Sequence, residues 1–248
     1  MSDDHASAAE SLLGLANQQP AAAVAQIRQL ADQGDAGAQF VLAQLLIEGC
    51  GTDRDPIESL YWYRLAASGG HAPAANMIGR CHELGVGTPV DFERAAAWYR
   101  RAASGGLDWG MYNLAHLHAT GRGVALDQAV ARKLYAHAAK LGHAKSMNMI
   151  GRYFEEGLAG EQDSRIAIDW YARAAEAGDF RGQASIAAVE LKRGNTDSAI
   201  RWLALAIDAG SPAFLEQLAS QLESSDEPSL RALRSRIHPI VGGGAQAA

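Results

Sequence analysis

Little in this chain can cross-link, anchor or chelate. Its 248 residues include only two cysteines, Cys50 and Cys81, too few to staple a chain of this length, which points to a reducing compartment. No run approaches the roughly 18 apolar residues of a membrane helix. The opening Met1-Ser2-Asp3-Asp4-His5 is acidic where a secretory signal needs positive charge, and Leu12-Leu13-Gly14-Leu15-Ala16 is too short for its apolar segment. The expected location is therefore cytoplasmic, with no membrane contact. Positive charge is also in deficit. Lys and Arg number 22 against 28 Asp and Glu, a net charge of −6, which argues against nucleic-acid binding by bulk charge. No His-Glu-x-x-His, Cys-x-x-Cys or Gly-x-Ser-x-Gly occurs, so catalysis has no supporting motif. With 48% hydrophobic residues the chain has material for a large core, and wholesale disorder is excluded.

What the chain does have is self-similarity. Glycines stand at 34, 70, 106, 142, 178 and 210, at intervals of 36 residues that shorten to 32 at the last step. Ala66, Ala102, Ala138 and Ala174 keep the same phase, as do Tyr63, Tyr99, Tyr135 and Tyr171. Trp62, Trp98 and Trp170 form a third column, with Leu134 in the third unit and Trp202 in the last. Several coincident columns at one period identify a repeat protein.

The unit spanning 71–106 shows what each repeat builds. From Pro73 to Leu84, Ala74, Ala75, Ile78 and His82 fall at helical spacing beside Gly79. Gly85-Val86-Gly87-Thr88-Pro89 breaks the helix. Asp91 is placed to cap a second helix from Phe92 to Ser104, with Glu93 in its first turn and Ala95, Trp98, Tyr99 and Ala102 on one stripe. The Gly105-Gly106 pair is expected to end that helix in the left-handed conformation. Neither helix can bury its stripe alone, so neighbouring pairs must stack. Ala43, Gly79, Ala115 and Gly151 share one small-residue position, expected to let the second helix approach while the Trp/Tyr pairs fill the space between units. On that packing, Gly79→Leu should cost about 1–3 kcal/mol by overpacking, and Trp98→Ala about 3–5 kcal/mol.

The patterns Ala-x-x-Ala-x-x-Ile-Gly-x-x-His-x-x-Gly-x-Gly and Asp-x-x-x-Ala-x-x-Trp-Tyr-x-x-Ala-Ala, read from Ala72 to Ala103, resemble the Sel1-like repeat, a relative of the tetratricopeptide repeats. The resemblance implies an all-α fold, a right-handed α/α solenoid of stacked antiparallel helix pairs. Residues 1–34 read as a degenerate capping hairpin (its helices within 7–34, with Pro20 between them), 35–178 as four 36-residue repeats, and 179–210 as a shortened fifth with its connection at Gly194-Asn195. Residues 211–240 read as capping helices over 212–223 and 228–238, and 241–248 as a disordered tail. The family implies an adaptor that holds protein partners, often in bacterial signalling or complex assembly, with no cofactor.

Other motifs have plainer readings. Gly49-Cys50-Gly51, Gly85-Val86-Gly87 and Gly121-Arg122-Gly123 follow no strand and precede no Gly-Lys-Ser/Thr, so they read as connections between helices and not as phosphate cradles. His116 and His118, two apart on a helix, point away from each other and cannot chelate one ion. His82 and His118 share a column with Leu46 and Phe154 and read as core substitutes. Their alternative is a metal- or pH-responsive regulatory role, with Cys81 as a further ligand. His71 and His143 recur at the start of the first helix and read as simply exposed. Arg231, Arg234, Arg236 and His238 read as a solvated face of the last helix. A hydrolase, suggested for some cysteine-rich secreted relatives with paired cysteines in each repeat, is the weakest alternative, since Cys50 and Cys81 fall in different columns.

The positions that the repeats do not hold constant are the candidate site. In tetratricopeptide-like hairpins the first helix lines the concave surface. By that resemblance one column reads Phe40, Asn76, Tyr112, Asn148, Ala184, and another, four residues on, reads Gln44, Arg80, His116, Arg152, Ala188. A third reads Gly37, Pro73, Trp109, Lys145, Arg181. Spacings of three and four place them on one helical face. The expected groove comprises Phe40, Asn76, Arg80, Trp109, Tyr112, His116, Lys145, Asn148 and Arg152, with Glu83 and Glu155 partly offsetting its charge. Arginine pairs bidentately with carboxylates, asparagine matches an extended backbone, and the aromatics anchor. The expected ligand is an acidic or C-terminal segment of a protein partner.

Overall fold

A computed structural model describes the backbone of residues 20–242. The first half of the expected N-terminal hairpin, before Pro20, and the tail after Gly242 lie outside the described residues. Among those described the secondary structure is thirteen α-helices. In chain order they are α1 (Pro20–Asp32), α2 (Ala36–Glu48), α3 (Pro56–Ser68), α4 (Ala72–Leu84), α5 (Phe92–Ser104), α6 (Asp108–Thr120), α7 (Gln128–Lys140), α8 (Ala144–Glu156), α9 (Ser164–Glu176), α10 (Phe180–Lys192), α11 (Thr196–Ala209), α12 (Pro212–Glu223) and α13 (Pro228–Gly242). The expected all-α helix-pair architecture is present. The last helix runs further than the sequence suggested.

The first helices α2, α4, α8 and α10 begin on capping side chains, as does the second helix α5, whereas α6 begins at Leu107 without one, and the second helices end at or beside the periodic glycine. Asp35 accepts from Ala38 N at 2.7 Å and Asp91 from Arg94 N at 2.9 Å, satisfying donors the helix itself leaves open. At the other end the left-handed turn falls on Gly106 (φ +83°), while Gly105 stays at φ −80°. Only the second glycine of that pair is therefore required by backbone conformation.

The chain divides into two compact units, Met1–Leu134 and Tyr135–Ala248, with the boundary inside α7. In the first, α1 to α6 pack in sequence, and the first helices α4 and α6 also touch. Its core holds Ile27, Leu42, Leu46, Tyr63, Ala66 and Ile78, all at most 1% exposed. In the second unit α8 to α11 pack in sequence, α8 touches α10, and α11 to α13 share a leucine-rich core around Leu203, Leu215 and Leu222.

The small-residue column works differently from expectation. A Cβ on Gly79 would lie 2.6 Å from two ring atoms of Tyr99, and one on Gly151 equally close to Tyr171. The glycine makes room first for the tyrosine ring of the second helix, and at Gly151 for that helix's backbone too, the Ala167 carbonyl lying 3.2 Å from such a Cβ. The aromatic pair is also unequal. The four tyrosines are at most 3% exposed, whereas Trp98 and Trp170 are half-buried beneath Arg101 and Arg173 guanidinium groups at 5.4 and 4.9 Å. The largest cavity cost therefore moves from Trp98 to its neighbour Tyr99.

Candidate functional site: the first-helix faces

Register between first helices is set by a buried amide. Asn76 on α4 is 7% exposed, and its Oδ1 accepts from Asn113 Nδ2 on α6 at 2.9 Å. Two repeats on, Asn148 on α8 accepts from Ser185 Oγ on α10 at 3.4 Å. Asn76 and Asn148 thus tie consecutive repeats together, and the partners Asn113 and Ser185 escaped the sequence reading because they fall one place outside the chosen columns. A buried, hydrogen-bonded asparagine fixes alignment because losing its partner would strand a polar group.

Around this tie, the face of the first unit carries exposed groups. Trp109 is 41% exposed and meets the half-buried Tyr112 edge-on, their centroids 5.9 Å apart. Tyr112 adjoins Asn113, and His116 lies exposed one turn further along α6. Arg80 is exposed one turn beyond Asn76 on the neighbouring α4. Phe40 is less available. Its ring is half-buried against His71 at 4.7 Å and Tyr63 at 5.7 Å.

In the second unit the same columns are more neutralised. Arg152 pairs with Glu156 one turn on, at 3.0 Å, whereas Leu84 holds the place of Glu156 beyond Arg80. Lys145 lies in the field of Asp179, a 95%-buried cap whose carboxyl burial pushes up and whose neighbours Arg181 and Lys145 pull back down. Glu83 and Glu155 each have a partner within their own repeat. They turn toward the second helices, where Tyr99 and Tyr171 hydroxyls donate to them at 2.5 and 2.6 Å.

The histidines divide into two structural roles. His71 and His143 are not simply exposed, which corrects the sequence reading. Each is the N-cap of its first helix, with Nδ1 accepting from Ala74 N and Ser146 N at 3.2 Å, and His143 is only 6% exposed. A neutral imidazole nitrogen here stands in for the aspartates that cap α2 and α10. His82 is 1% exposed. Burial holds its pKa below the ordinary histidine range, with Arg64 and Arg94 adding to the effect and Asp91 opposing it. His118 is half-buried, its Nδ1 3.3 Å from the Ala125 carbonyl oxygen. Cys81 is buried, which pushes its thiol up to about 11, far from the thiolate a nucleophile or ligand needs. Among the described residues no three His, Cys, Asp or Glu side chains converge as a metal site. No described helix is long and apolar enough to cross a membrane. On the last helix the arginines brace the fold. Arg231 donates to the Ser225 carbonyl, while Arg234 and Arg236 pair with Glu223 and Asp208. The His238 side chain lies outside the described residues.

Comparison with known proteins agrees with this arrangement. The Sel1 repeat model matches residues 36–71, 72–107, 110–143, 144–179 and 189–211. A crystal structure of a Sel1 repeat protein from Oxalobacter formigenes superposes with a TM-score of 0.81 at 23% identity, covering 95% of this chain and 99% of that one. A protective antigen of uropathogenic Escherichia coli with an SLR fold, c5321, gives 0.70 at 26% identity, over 91% of this chain and 50% of that one. The immunity protein Pa5087 of Pseudomonas aeruginosa gives 0.59 at 16% identity, over 84% and 81%. No curated protein matches the chain in sequence.

Proposed function

The chain belongs to the Sel1 repeat family, and from that membership we propose that it is a cytoplasmic, non-enzymatic adaptor that holds an acidic or C-terminal segment of a protein partner. Proteins of this family are generally protein-interaction scaffolds. The observation that carries the finer reading is the group on the first unit formed by exposed Trp109 and half-buried Tyr112 on α6, with exposed Arg80 on the contacting helix α4. Aromatic and arginine side chains are the residue types that dominate binding energy at protein interfaces. Four residues beyond Arg80 stands Leu84 where Arg152 has Glu156, and the nearer Glu83 is engaged by the Tyr99 hydroxyl, so Arg80 is the better placed of the two arginines to meet a partner's carboxylate. Asn76 supports the site by fixing the α4–α6 register and does not need to touch the ligand. Taken by itself, the second unit offers Lys145 and Arg152 for acidic sequence less strongly, because Glu156 and Asp179 compete for them.

The reading is tested by affinity purification from the native host, with quantitative mass spectrometry of wild type and of Arg80→Ala/Trp109→Ala. Both must first show the same helical circular dichroism. Loss of the co-purifying partner from the double variant is the expected result. An unchanged partner set on the folded variant refutes this face as the site.

A further inference from the structure

Repeats two and four are built alike, yet one is plugged and the other open. In the second repeat Phe92, the first residue of α5, packs on a small cluster formed by Ala95, Ala96, Tyr99, Leu114 and Leu117, with Val124 from the next connection beside it. The Arg122 guanidinium covers that ring at 4.1 Å. The connection carrying Arg122 is pressed tight against the helix start, since a Cβ on Gly123 would fall 2.2 Å from the Phe92 carbonyl carbon.

Two 36-residue periods later four positions of that cluster read Ala167, Ile168 (in place of Ala96), Tyr171 and Val189, and Ser164 stands where Phe92 does. The next connection, Arg193-Gly194-Asn195, is shorter by four residues and has no counterpart of Val124. Plug and lid are both missing. Those four cluster residues line a cleft of about 270 Å³, with exposed Ser164, Lys192 and Arg193 at its rim. A dry apolar cavity of about 150 Å³ already accepts benzene, so the space is ample for one aromatic ring.

We infer that this cleft between α9 and α10 is an anchoring site for an aromatic side chain of a partner segment, of phenylalanine type with a carboxylate close by. The evidence for the ring is internal, because the molecule's own repeat two seats a phenylalanine on the matching cluster. Arg193 falls within one position of where the period would place Arg122, and on leaving its exposed pairing with Glu190 it can cover the ring in the same cation–π manner. The carboxylate is argued from charge. Lys192 borders the mouth, Arg193 beside it is paired with Glu190 at 3.0 Å and must exchange that partner for the ligand's carboxylate, and Glu155 is engaged by the Tyr171 hydroxyl. This site is separate from the first-helix face and stands or falls independently of it.

The test is a titration of the full chain with N-acetylphenylalanine, followed through the methyl resonances of Ile168 and Val189, with N-acetylalanine as control. Saturable shifts with the aromatic compound alone are expected. Ser164→Phe should abolish them and raise the thermal midpoint by supplying the missing plug, and Ser164→Ala should leave them intact. Arg193→Ala should weaken binding. Absence of saturable shifts in the wild-type chain overturns the inference. So does persistence of the shifts in Ser164→Phe, or a lowered thermal midpoint in that variant, because the ring would then not fit.

Discussion

The second and fourth repeats share a three-residue lock that the first and third lack. In 71–106 and 143–178 a glycine (Gly79, Gly151) leaves room for a buried tyrosine ring (Tyr99, Tyr171), whose hydroxyl is held by a glutamate one turn beyond the glycine (Glu83, Glu155). In 35–70 and 107–142 the small residue is Ala43 or Ala115, and the glutamate's place is taken by Ile47 or Ala119. The three positions change together because they solve one problem. A ring drawn across the first helix to reach a carboxylate leaves no room for a Cβ beneath it. The lesson is that a 36-residue period conceals a 72-residue alternation, in which His71/His143, Asn76/Asn148 and Arg80/Arg152 also take part.

The largest effect should come from emptying the lock. Tyr99→Ala should cost about 3–5 kcal/mol. Tyr171→Ala should cost measurably less, because Tyr171 already borders the cleft and its void opens to solvent. Urea denaturation of both variants checks this, and equal costs break the contrast between the two repeats. Next is the hydroxyl alone. Tyr99→Phe strands the half-buried Glu83 and should cost about 1.5–3 kcal/mol, the range for hydrogen bonds to charged groups. Tyr63→Phe, with Ile47 opposite, should cost less. Gly79→Ala should cost about 1–3 kcal/mol by forcing the Tyr99 ring to move, whereas Ala115→Gly should cost only about 1 kcal/mol of helix propensity.

The smallest effect depends on pH. Burial lowers the pKa values of both His71 and His82 in the fold, His71 against a weaker opposing pull from Asp35. The unfolded chain, with histidine near about 6.5, then binds more protons than the folded one as pH falls. Stability is full above the unfolded value and declines below it, through the depressed folded values. His71 adds a geometric reason, since protonation removes the Nδ1 acceptor of the Ala74 amide. Urea midpoints at about pH 7.5 and about pH 5 should converge in His82→Phe relative to wild type, by an amount equal to that histidine's share.

The helix pairs, the cap at Asp91 and the connections at the Gly-x-Gly triplets were legible in sequence, because period and breaker residues are local properties. The lock was only half legible. The small residue and the tyrosine showed as columns, but the direction in which Glu83 turns depends on which neighbour offers a hydroxyl. His71 and His143 misled for a related reason. Histidine is an uncommon cap, and only the backbone geometry reveals that its Nδ1 substitutes for an aspartate oxygen. Asn76 was expected to hold a partner's backbone, and its carbonyl oxygen is instead engaged by an asparagine of the next repeat, 37 residues on, which no local pattern shows. The open cleft at Ser164 shows only when the shortened fifth connection is compared with the intact third one.

The account rests most heavily on the α4–α6 face of the first unit as the place where a partner is held. Site-specific photocrosslinking tests it directly, with the crosslinking residue placed at Tyr112 in one sample and in another at Tyr61, a 55%-exposed side chain on the second helix of the first repeat. The account predicts a partner adduct from position 112 that Arg80→Ala diminishes, and none from position 61. An adduct from position 61 alone would contradict it.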